Sequence, residues 1–304
     1  MCGFAGYAGE REYDTSVIRK MTDKIRHRGP DSQDAFVEGK VGLGFVRLSI
    51  IDLEGGSQPM FNEDKNLVLI FNGELYNFQD IRKELVEAGH VFTTHTDSEI
   101  LLHGYEEWGK EGLLGRLRGM FAFVIFDRTK KTLFGARDHF GIKPFYYYHK
   151  DGTFLFGSEI KSFLAHPDFQ KELFEEKLPD FMTFGCIPGA ETFFRNVYKL
   201  LPGHYFTYEE GRLTVSTYWE PTFDINENQT IESVADKLDG VLEDSVDKHI
   251  IADVPVCSFL SSGVDSSYVA YELKDKVDLT TFTIDFVEQK YSEAPHAKEL
   301  ADEL

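Results

Sequence analysis

From Cys2 to about Tyr208 the chain consists of short apolar or alternating runs separated by Gly and Asp turns. Leu67-Val68-Leu69-Ile70-Phe71, Phe121-Ala122-Phe123-Val124-Ile125-Phe126 and Pro144-Phe145-Tyr146-Tyr147-Tyr148 have the length and aromatic or β-branched content of strands. Cys2-Gly3-Phe4-Ala5-Gly6-Tyr7-Ala8 reads as a further strand. Val17, Met21 and Ile25 recur every four residues, and Phe78, Ile81 and Leu85 at three and four, which predicts two amphipathic helices. Many strands and few helices predict a layered α+β unit rich in antiparallel sheet. The stretch from about 211 to 230, with Trp219-Glu220-Pro221 and Asn226-Glu227-Asn228-Gln229, has turn residues and weak periodicity and reads as a linker. Beyond it, Val234, Leu238, Val241, Leu242 and Val246 form a helical stripe, followed by the apolar run Val254 to Leu260, a Ser/Gly loop and a helix from about Ser266. A second strand, Thr280 to Ile284, leads towards a terminal helix. Strand, loop, helix, strand is the parallel α/β pattern with a right-handed crossover. Expected domains are therefore 2–210 and 231–304, joined by 211–230.

Composition narrows the partners. A length of 304 residues suits about two domains. A net charge of −20 repels phosphate backbones and anionic membrane surfaces, so neither nucleic acid nor membrane is expected as a partner. Cys2, Cys186 and Cys257 have neither metal-ligand spacing nor the density of a secreted disulfide scaffold, and a reducing cytoplasm fits them best. No basic segment followed by an apolar core opens the chain, and Met1-Cys2-Gly3 reads as the mature start, give or take the methionine. The ten histidines show no ligand spacing and read as surface or packing residues, so no metal site is expected.

Four positions carry candidate chemistry. Cys2, once Met1 is removed, would hold a thiol and a free α-amine of pKa roughly 7.7–8.0 on one residue, which can serve as nucleophile and base together. It could equally be a small buried hydrophobe. Asn72-Gly73, after the apolar run Leu67 to Phe71, offers a side-chain amide and an unobstructed backbone N–H, the parts of an oxyanion hole, and is also a common hairpin turn. Arg47, in the apolar stretch Gly44 to Ile51, needs an anionic partner if buried and none if it is an exposed strand residue. Asp97, in Thr96-Asp97-Ser98-Glu99, fits a binding carboxylate or a helix N-cap.

Taken together, these stretches resemble the class II glutamine amidotransferases and, in detail, the glutamine-hydrolysing asparagine synthetases. The matching segments are Met1-Cys2-Gly3-Phe4-Ala5-Gly6, Arg26-His27-Arg28-Gly29-Pro30-Asp31, Arg47-Leu48-Ser49-Ile50-Ile51-Asp52, Gln58-Pro59-Met60, Asn72-Gly73-Glu74-Leu75-Tyr76-Asn77, Thr96-Asp97-Ser98-Glu99 and Ala136-Arg137-Asp138-His139-Phe140-Gly141-Ile142-Lys143-Pro144, in family order. The resemblance implies an N-terminal αββα domain of the N-terminal-nucleophile hydrolase type, in which Cys2 attacks the glutamine amide and Asn72 with Gly73 stabilises the oxyanion. It implies that Arg47 holds the substrate α-carboxylate, that Glu74 and Asp97 face its α-ammonium, and that Leu48, Ser49, Ile50 and Ile51 line the pocket. For Arg28 to Asp31 and Arg137 to Pro144 it implies membership, and turn and packing functions suffice.

In the second domain, Ser261-Ser262-Gly263-Val264-Asp265-Ser266-Ser267 follows a strand and opens a helix, a setting whose backbone N–H groups suit a phosphate. It lacks the Lys-Ser/Thr end of a Walker A loop. It resembles the pyrophosphate loop at the start of a parallel-sheet ATP-pyrophosphatase domain, with Ser262 where family members often have Gly. On that resemblance Leu260 through Ser266 and Ile284 would meet ATP, although Leu260 and Ile284 could as well be plain core. The implied substrates are L-glutamine, L-aspartate and ATP with Mg2+, with no prosthetic group, and the resemblance admits a homodimer. Two strands are fewer than such a sheet needs, so the sequence is expected to be part of a longer synthetase. A related synthetase with another acceptor carboxylate, and a regulatory glutamine-binding module, are the alternatives.

Overall fold

The structure, a computed structural model, describes residues 2–48, 56–225, 228–252, 254–286 and 292–304. They form two compact units, Met1–Thr222 and Phe223–Leu304.

The first unit runs β1 (Gly3–Ala8), α1 (Thr15–Asp23), β2 (Ser32–Glu38), β3 (Val41–Arg47), β4 (Met60–Phe61), β5 (Leu67–Leu75), α2 (Phe78–Glu87), α3 (Glu99–Leu114), β6 (Gly119–Asp127), β7 (Thr132–Arg137), β8 (Tyr146–Lys150), β9 (Thr153–Gly157), α4 (Leu178–Phe184), β10 (Val197–Lys199), β11 (His204–Glu209) and β12 (Arg212–Thr217). Two antiparallel sheets of six strands result, ordered β10-β8-β9-β1-β3-β2 and β12-β11-β7-β6-β5-β4.

Side-chain alternation along the strands fixes the layers. In β1, Phe4 and Ala8 join Phe45, Val68, Ile70, Val124, Phe126 and Phe206 in the core between the sheets. Ala5 and Tyr7, one residue out of phase, pack with Val17, Ile18 and Met21 of α1 on the outer face. On the far side, Tyr105 of α3 stacks on Phe134 of β7 at 5.7 Å. The order is helix, sheet, sheet, helix. β1 lies inside its sheet between β9 and β3, and all six of its residues are buried. The run-up to the first strand is thereby held rigid, and the register Gly3↔Val46 sets Cys2 beside the end of β3.

Three expectations change here. Residues 212–217, expected in the linker, are strand β12, paired along its whole length with β11. Its polar face concealed it: only Leu213 of this strand packs on the intersheet core. Asn72-Gly73 is neither a turn nor a strand end, because β5 continues to Leu75 and pairs with β6 from Leu67↔Asp127 to Leu75↔Gly119. The strand Pro144 to Tyr148 is displaced to Tyr146–Lys150, its proline lying outside the ladder, where a residue without an N–H belongs.

The second unit contains α5 (Ile231–His249), β13 (Cys257–Phe259), α6 (Val264–Leu273), β14 (Thr280–Phe282) and α7 (Ala294–Glu303). β13 and β14 pair in parallel, as the strand, loop, helix, strand pattern requires. Leu260, Ala270 and Ala297 are its buried core, with Leu279 and Leu300 against them. The run Val254 to Leu260 is a strand only from Cys257 to Phe259, with Asp253 outside the described residues. The stripe on α5 is buried only at Val246, while Val234, Leu238 and Val241 are exposed.

Gly73 is a glycine for a steric reason. A Cβ there would lie 2.4 Å from the Met120 carbonyl oxygen and 2.5 Å from the Phe71 ring. Gly73→Ala is therefore expected to cost about 2 kcal/mol, read as a melting temperature lower by roughly 4–8 °C in a thermal-unfolding scan.

Candidate active site

A cleft of about 630 Å³, counting its open mouth, is lined by residues from both sheets, including Cys2, Arg47, Leu48, Asn72, Gly73, Glu74 and Asp97. Seven of the residues singled out from sequence therefore converge on one cavity. Ser49, Ile50 and Ile51 lie outside the described residues.

Cys2 is half-buried. Its Sγ accepts a hydrogen bond from the Leu48 N–H at 3.3 Å and donates to the Leu48 carbonyl at 3.3 Å. Burial pushes the thiol pKa up, against the lowering effect of the Leu48 N–H and of the Arg47 and Lys143 charges. An elevated thiol pKa leaves little thiolate at neutral pH, so a base has to take its proton. The residue's backbone is held as well: Arg28 donates from Nε to the Cys2 carbonyl at 3.0 Å and pairs with Glu159 at 3.1 Å. Gly29 and Pro30 pack on the end of β3, with the Asp31 N–H donating to the Arg47 carbonyl at 3.1 Å. This tight turn props up Arg47, which is buried rather than exposed.

The wall opposite is the outer edge of β5. Along this edge Leu67 is bonded by Asn62, and Leu69 is paired with Met60 of β4. At Phe71 no strand continues, and the Gln58 side chain substitutes for one: its Oε1 accepts from the Phe71 N–H at 2.6 Å and its Nε2 donates to the Phe71 carbonyl at 3.2 Å. At Leu75 the N–H donates to Asp97 Oδ2 at 2.9 Å. In an antiparallel strand alternate residues point their N–H groups the same way. The Gly73 N–H, midway between Phe71 and Leu75, therefore faces this same open edge and the cleft. Beside it, Asn72 is 1% exposed, and among the described residues its Nδ2 is one of three buried side-chain polar atoms with no hydrogen-bond partner. An unpaired buried donor costs about 1–3 kcal/mol and marks a place where an acceptor is wanted.

Charge in the cleft is divided. Arg47 and Lys143 are its cations, Glu74 and Asp97 its carboxylates. Asp97 is not an N-cap: the N-cap of α3 is Ser98, and the Asp97 carboxylate reaches across to β5. Burial, with Glu74 adding like charge, pushes its pKa up to about 7 against the pull of the Leu75 N–H. Burial lowers the Lys143 pKa, opposed by Glu74, Cys2 and Asp138.

Lys143, Gln58 and Arg28 were missed as functional residues, although all three sit in segments the family resemblance had marked. Lys143 arrives on the turn after β7, where Asp138 accepts from the Ile142 and Lys143 N–H groups at 2.8 and 2.9 Å. Arg137 braces the same turn by donating to the carbonyls of Gly141, Lys143 and Leu200, each at 2.7 Å.

The sequence model of the glutamine amidotransferase domain matches residues 1–219. The chain belongs to the glutamine amidotransferase domain family. The asparagine synthase family model matches residues 237–304 of this amidotransferase chain. It is 41% identical over 312 residues to the Bacillus subtilis protein named asparagine synthetase [glutamine-hydrolyzing] 1, covering 100% of this chain and 49% of the relative. A second B. subtilis relative, asparagine synthetase [glutamine-hydrolyzing] 3, is 37% identical, with 97% and 50% covered. The chain thus spans about half the length of these curated relatives. Among solved structures, a B. subtilis glutamine phosphoribosylpyrophosphate amidotransferase aligns with a TM-score of 0.52 at 17% identity, covering 94% of this chain and 67% of that one. The two share the fold.

In the second unit, the Ser261 N–H donates to Ser266 Oγ at 3.1 Å and the Gly263 N–H to Ser261 Oγ at 3.1 Å. The loop's hydroxyls occupy amides that a phosphate would use. Ser262, Gly263, Val264 and Asp265 are exposed around it and Ser266 is half-buried. Leu260 is core, at 3% exposure, and Ile284 stands outside the core, at 70%.

Asp97 gives the site a pH signature. Its proton is held more tightly in the folded chain than in the unfolded one, where the pKa is near 3.8, so its contribution to stability falls as pH rises from about 4 to about 7. Asp97→Asn keeps an acceptor for the Leu75 N–H and removes the charge. It is expected to melt with wild type at pH 4 and above it at pH 8, by up to ~4 kcal/mol, in unfolding scans at the two pH values.

Proposed function

We propose that the first unit hydrolyses glutamine to glutamate and ammonia, and that residues 237–304 belong to a module that uses the ammonia to convert aspartate to asparagine with ATP. The observation that carries the glutaminase reading is the unpaired Asn72 Nδ2 beside the outward Gly73 N–H, in the cleft that Cys2 lines. Two preorganised donors facing a nucleophile are the requirement for stabilising a tetrahedral oxyanion.

With Met1 removed, the Cys2 α-amine takes the thiol proton and Sγ attacks the side-chain amide carbon of glutamine. The carbonyl oxygen becomes an oxyanion held by Asn72 and Gly73. Collapse breaks the C–N bond as the ammonium proton passes to the leaving nitrogen, ammonia departs and a glutamyl thioester remains. Water, deprotonated by the same amine, cleaves the thioester to glutamate and restores the thiol. Arg47 pairs with the substrate α-carboxylate, and Glu74 with Asp97 receives the α-ammonium, whose arrival favours the ionised form of Asp97. The opposed charges support an amino-acid zwitterion over a simple amide.

The synthetase reading rests on the second family match and the relatives' names. In it the Ser261–Ser266 loop receives the pyrophosphate of ATP, with Mg2+ accompanying ATP as substrate, and aspartate is activated as an acyl-adenylate that ammonia then attacks. Leu260 supports this site from the core, and Ile284 offers exposed apolar surface to the nucleotide.

Cys2→Ala is expected to abolish glutamate release while glutamine still raises the melting temperature, and persistent release would remove Cys2 from the mechanism. Asn72→Ala is expected to lower kcat for glutamine hydrolysis by about 10²–10³-fold with KM little changed, measured by coupled glutamate assay. A change confined to KM would reassign Asn72 to ground-state binding.

A further inference from the structure

Behind the cleft wall, α3 carries Glu99, His103, Glu106 and Glu107 at helical spacing, so that they share one side of the helix. Against them lie His90, which follows α2, and Glu63, which follows β4. His103 is 1% exposed, and its ring packs edge-on against Phe92 at 4.6 Å and beside the His90 ring at 5.1 Å. This cluster shares no residue with the cleft and takes no part in the glutamine chemistry.

The two imidazoles face the same carboxylate through Nδ1. His103 Nδ1 lies 3.2 Å from Glu106 Oε2 and 3.8 Å from Glu63 Oε1, and His90 Nδ1 lies 3.9 Å from the same Glu106 oxygen. Ligand atoms of His90, His103 and Glu106 fall within 4.8 Å of one another. On the other nitrogens, His90 Nε2 is hydrogen-bonded to Glu107 Oε2 at 3.1 Å, whereas His103 Nε2 is buried without a hydrogen-bond partner, 3.6 Å from Glu99 Oε1. The surrounding groups are held in turn. Glu99 accepts from the Thr93 and Thr94 N–H groups at 2.8 and 2.7 Å, and Glu106 Oε1 accepts from Asn62 Nδ2 at 2.7 Å.

We propose that His90, His103, Glu106 and Glu63 form a tetrahedral site for a divalent transition metal of the zinc type. A central ion bonded at about 2.0–2.1 Å needs ligand atoms roughly 3.3 Å apart; His103 Nδ1 and Glu106 stand at 3.2 Å, His90 Nδ1 and Glu106 at 3.9 Å, and Glu63, 3.8 Å from His103 Nδ1, would turn in as the fourth ligand. Two imidazoles with two carboxylates suit zinc over calcium or magnesium, which prefer all-oxygen shells. Two carboxylates balance the ion's charge. The Glu107 carboxylate on the outer nitrogen of His90 is the arrangement that fixes a ligating ring and its tautomer at metal sites. The site connects to the cleft: Glu99 is bound by Thr94, Thr94 Oγ1 pairs with Thr96 Oγ1 at 2.9 Å, and Thr96 and Asp97 line the cavity. A bound ion would therefore brace the segment that presents Asp97. Sequence spacing gave no sign of it, because the four ligands come from three separate segments.

The test uses the full chain freed of metal by a chelator, titrated with Zn2+ against a chromophoric competitor and separately with Co2+. One equivalent of Zn2+ is expected to bind and to raise the melting temperature, and Co2+ added to the metal-free chain is expected to show the intense visible bands of tetrahedral coordination and to be displaced by Zn2+. His90→Ala is expected to abolish this binding, and Glu107→Gln to weaken it by about 10–100-fold, both variants retaining the metal-free circular-dichroism spectrum of wild type. No stoichiometric binding, a pale octahedral Co2+ spectrum, a near-ultraviolet sulfur-to-cobalt band, or binding indifferent to His90→Ala would each overturn the proposal.

Discussion

The candidate active site depends on how the outer edge of β5 is closed. A strand edge in a folded interior has to find partners for its N–H and C=O groups. Here the neighbouring strand β4 is only two residues long, and from Phe71 onward side chains take over, Gln58 on Phe71 and Asp97 on Leu75. Between them the edge faces a cavity at Gly73. A longer β4 would have sealed this edge with a regular ladder, and the donor that faces the substrate space would have been consumed.

The opposite wall follows from the burial of β1. A strand enclosed by β9 and β3, with one face on the intersheet core and the other on α1, cannot slip by one residue without reversing every side chain. Cys2 is therefore placed by the packing of Phe4, Ala5 and Tyr7 and then held at both ends, its carbonyl by Arg28 and its sulfur by Leu48. The same packing raises the thiol pKa, so the feature that positions Cys2 also means that the proposed attack by its sulfur needs a proton acceptor. Asp97 shows a similar coupling: the burial that sets its carboxylate on the Leu75 N–H also pushes its pKa up to about 7.

The two units differ in how well they cover themselves. The first has a continuous aromatic core between its sheets. The second closes a small core around Leu260, Ala270 and Ala297, while Phe259, Phe282 and most of the apolar stripe of α5 stay exposed. Its phosphate-type loop is internally bonded through Ser261 and Ser266, so anion binding there would exchange hydroxyl contacts for phosphate contacts.

Local pattern determined a good deal by itself. Period-two alternation and apolar runs gave β1, β5 and β6, four-residue spacing gave α1 and α2, and strand, loop, helix, strand gave the parallel pair β13 and β14. Motifs of a few contiguous residues marked Cys2, Arg47, Asn72, Gly73, Glu74 and Asp97, all of which line the one cleft, because a thiol, an amide beside a glycine and charged groups in apolar runs each leave a residue-type signature. Tertiary structure alone decided what depends on distant pairing. It turned Asn72-Gly73 from a hairpin signal into mid-strand residues, since β6 supplies partners as far as Leu75. It drew Asp97 from the helix end to the Leu75 N–H and made Arg212–Thr217 a strand, because an edge strand with a polar face has no pattern of its own. It also brought His90, His103, Glu63 and Glu106 together from three segments whose spacing carries no signal, for the physical reason that ligand geometry is a property of packing and not of sequence order.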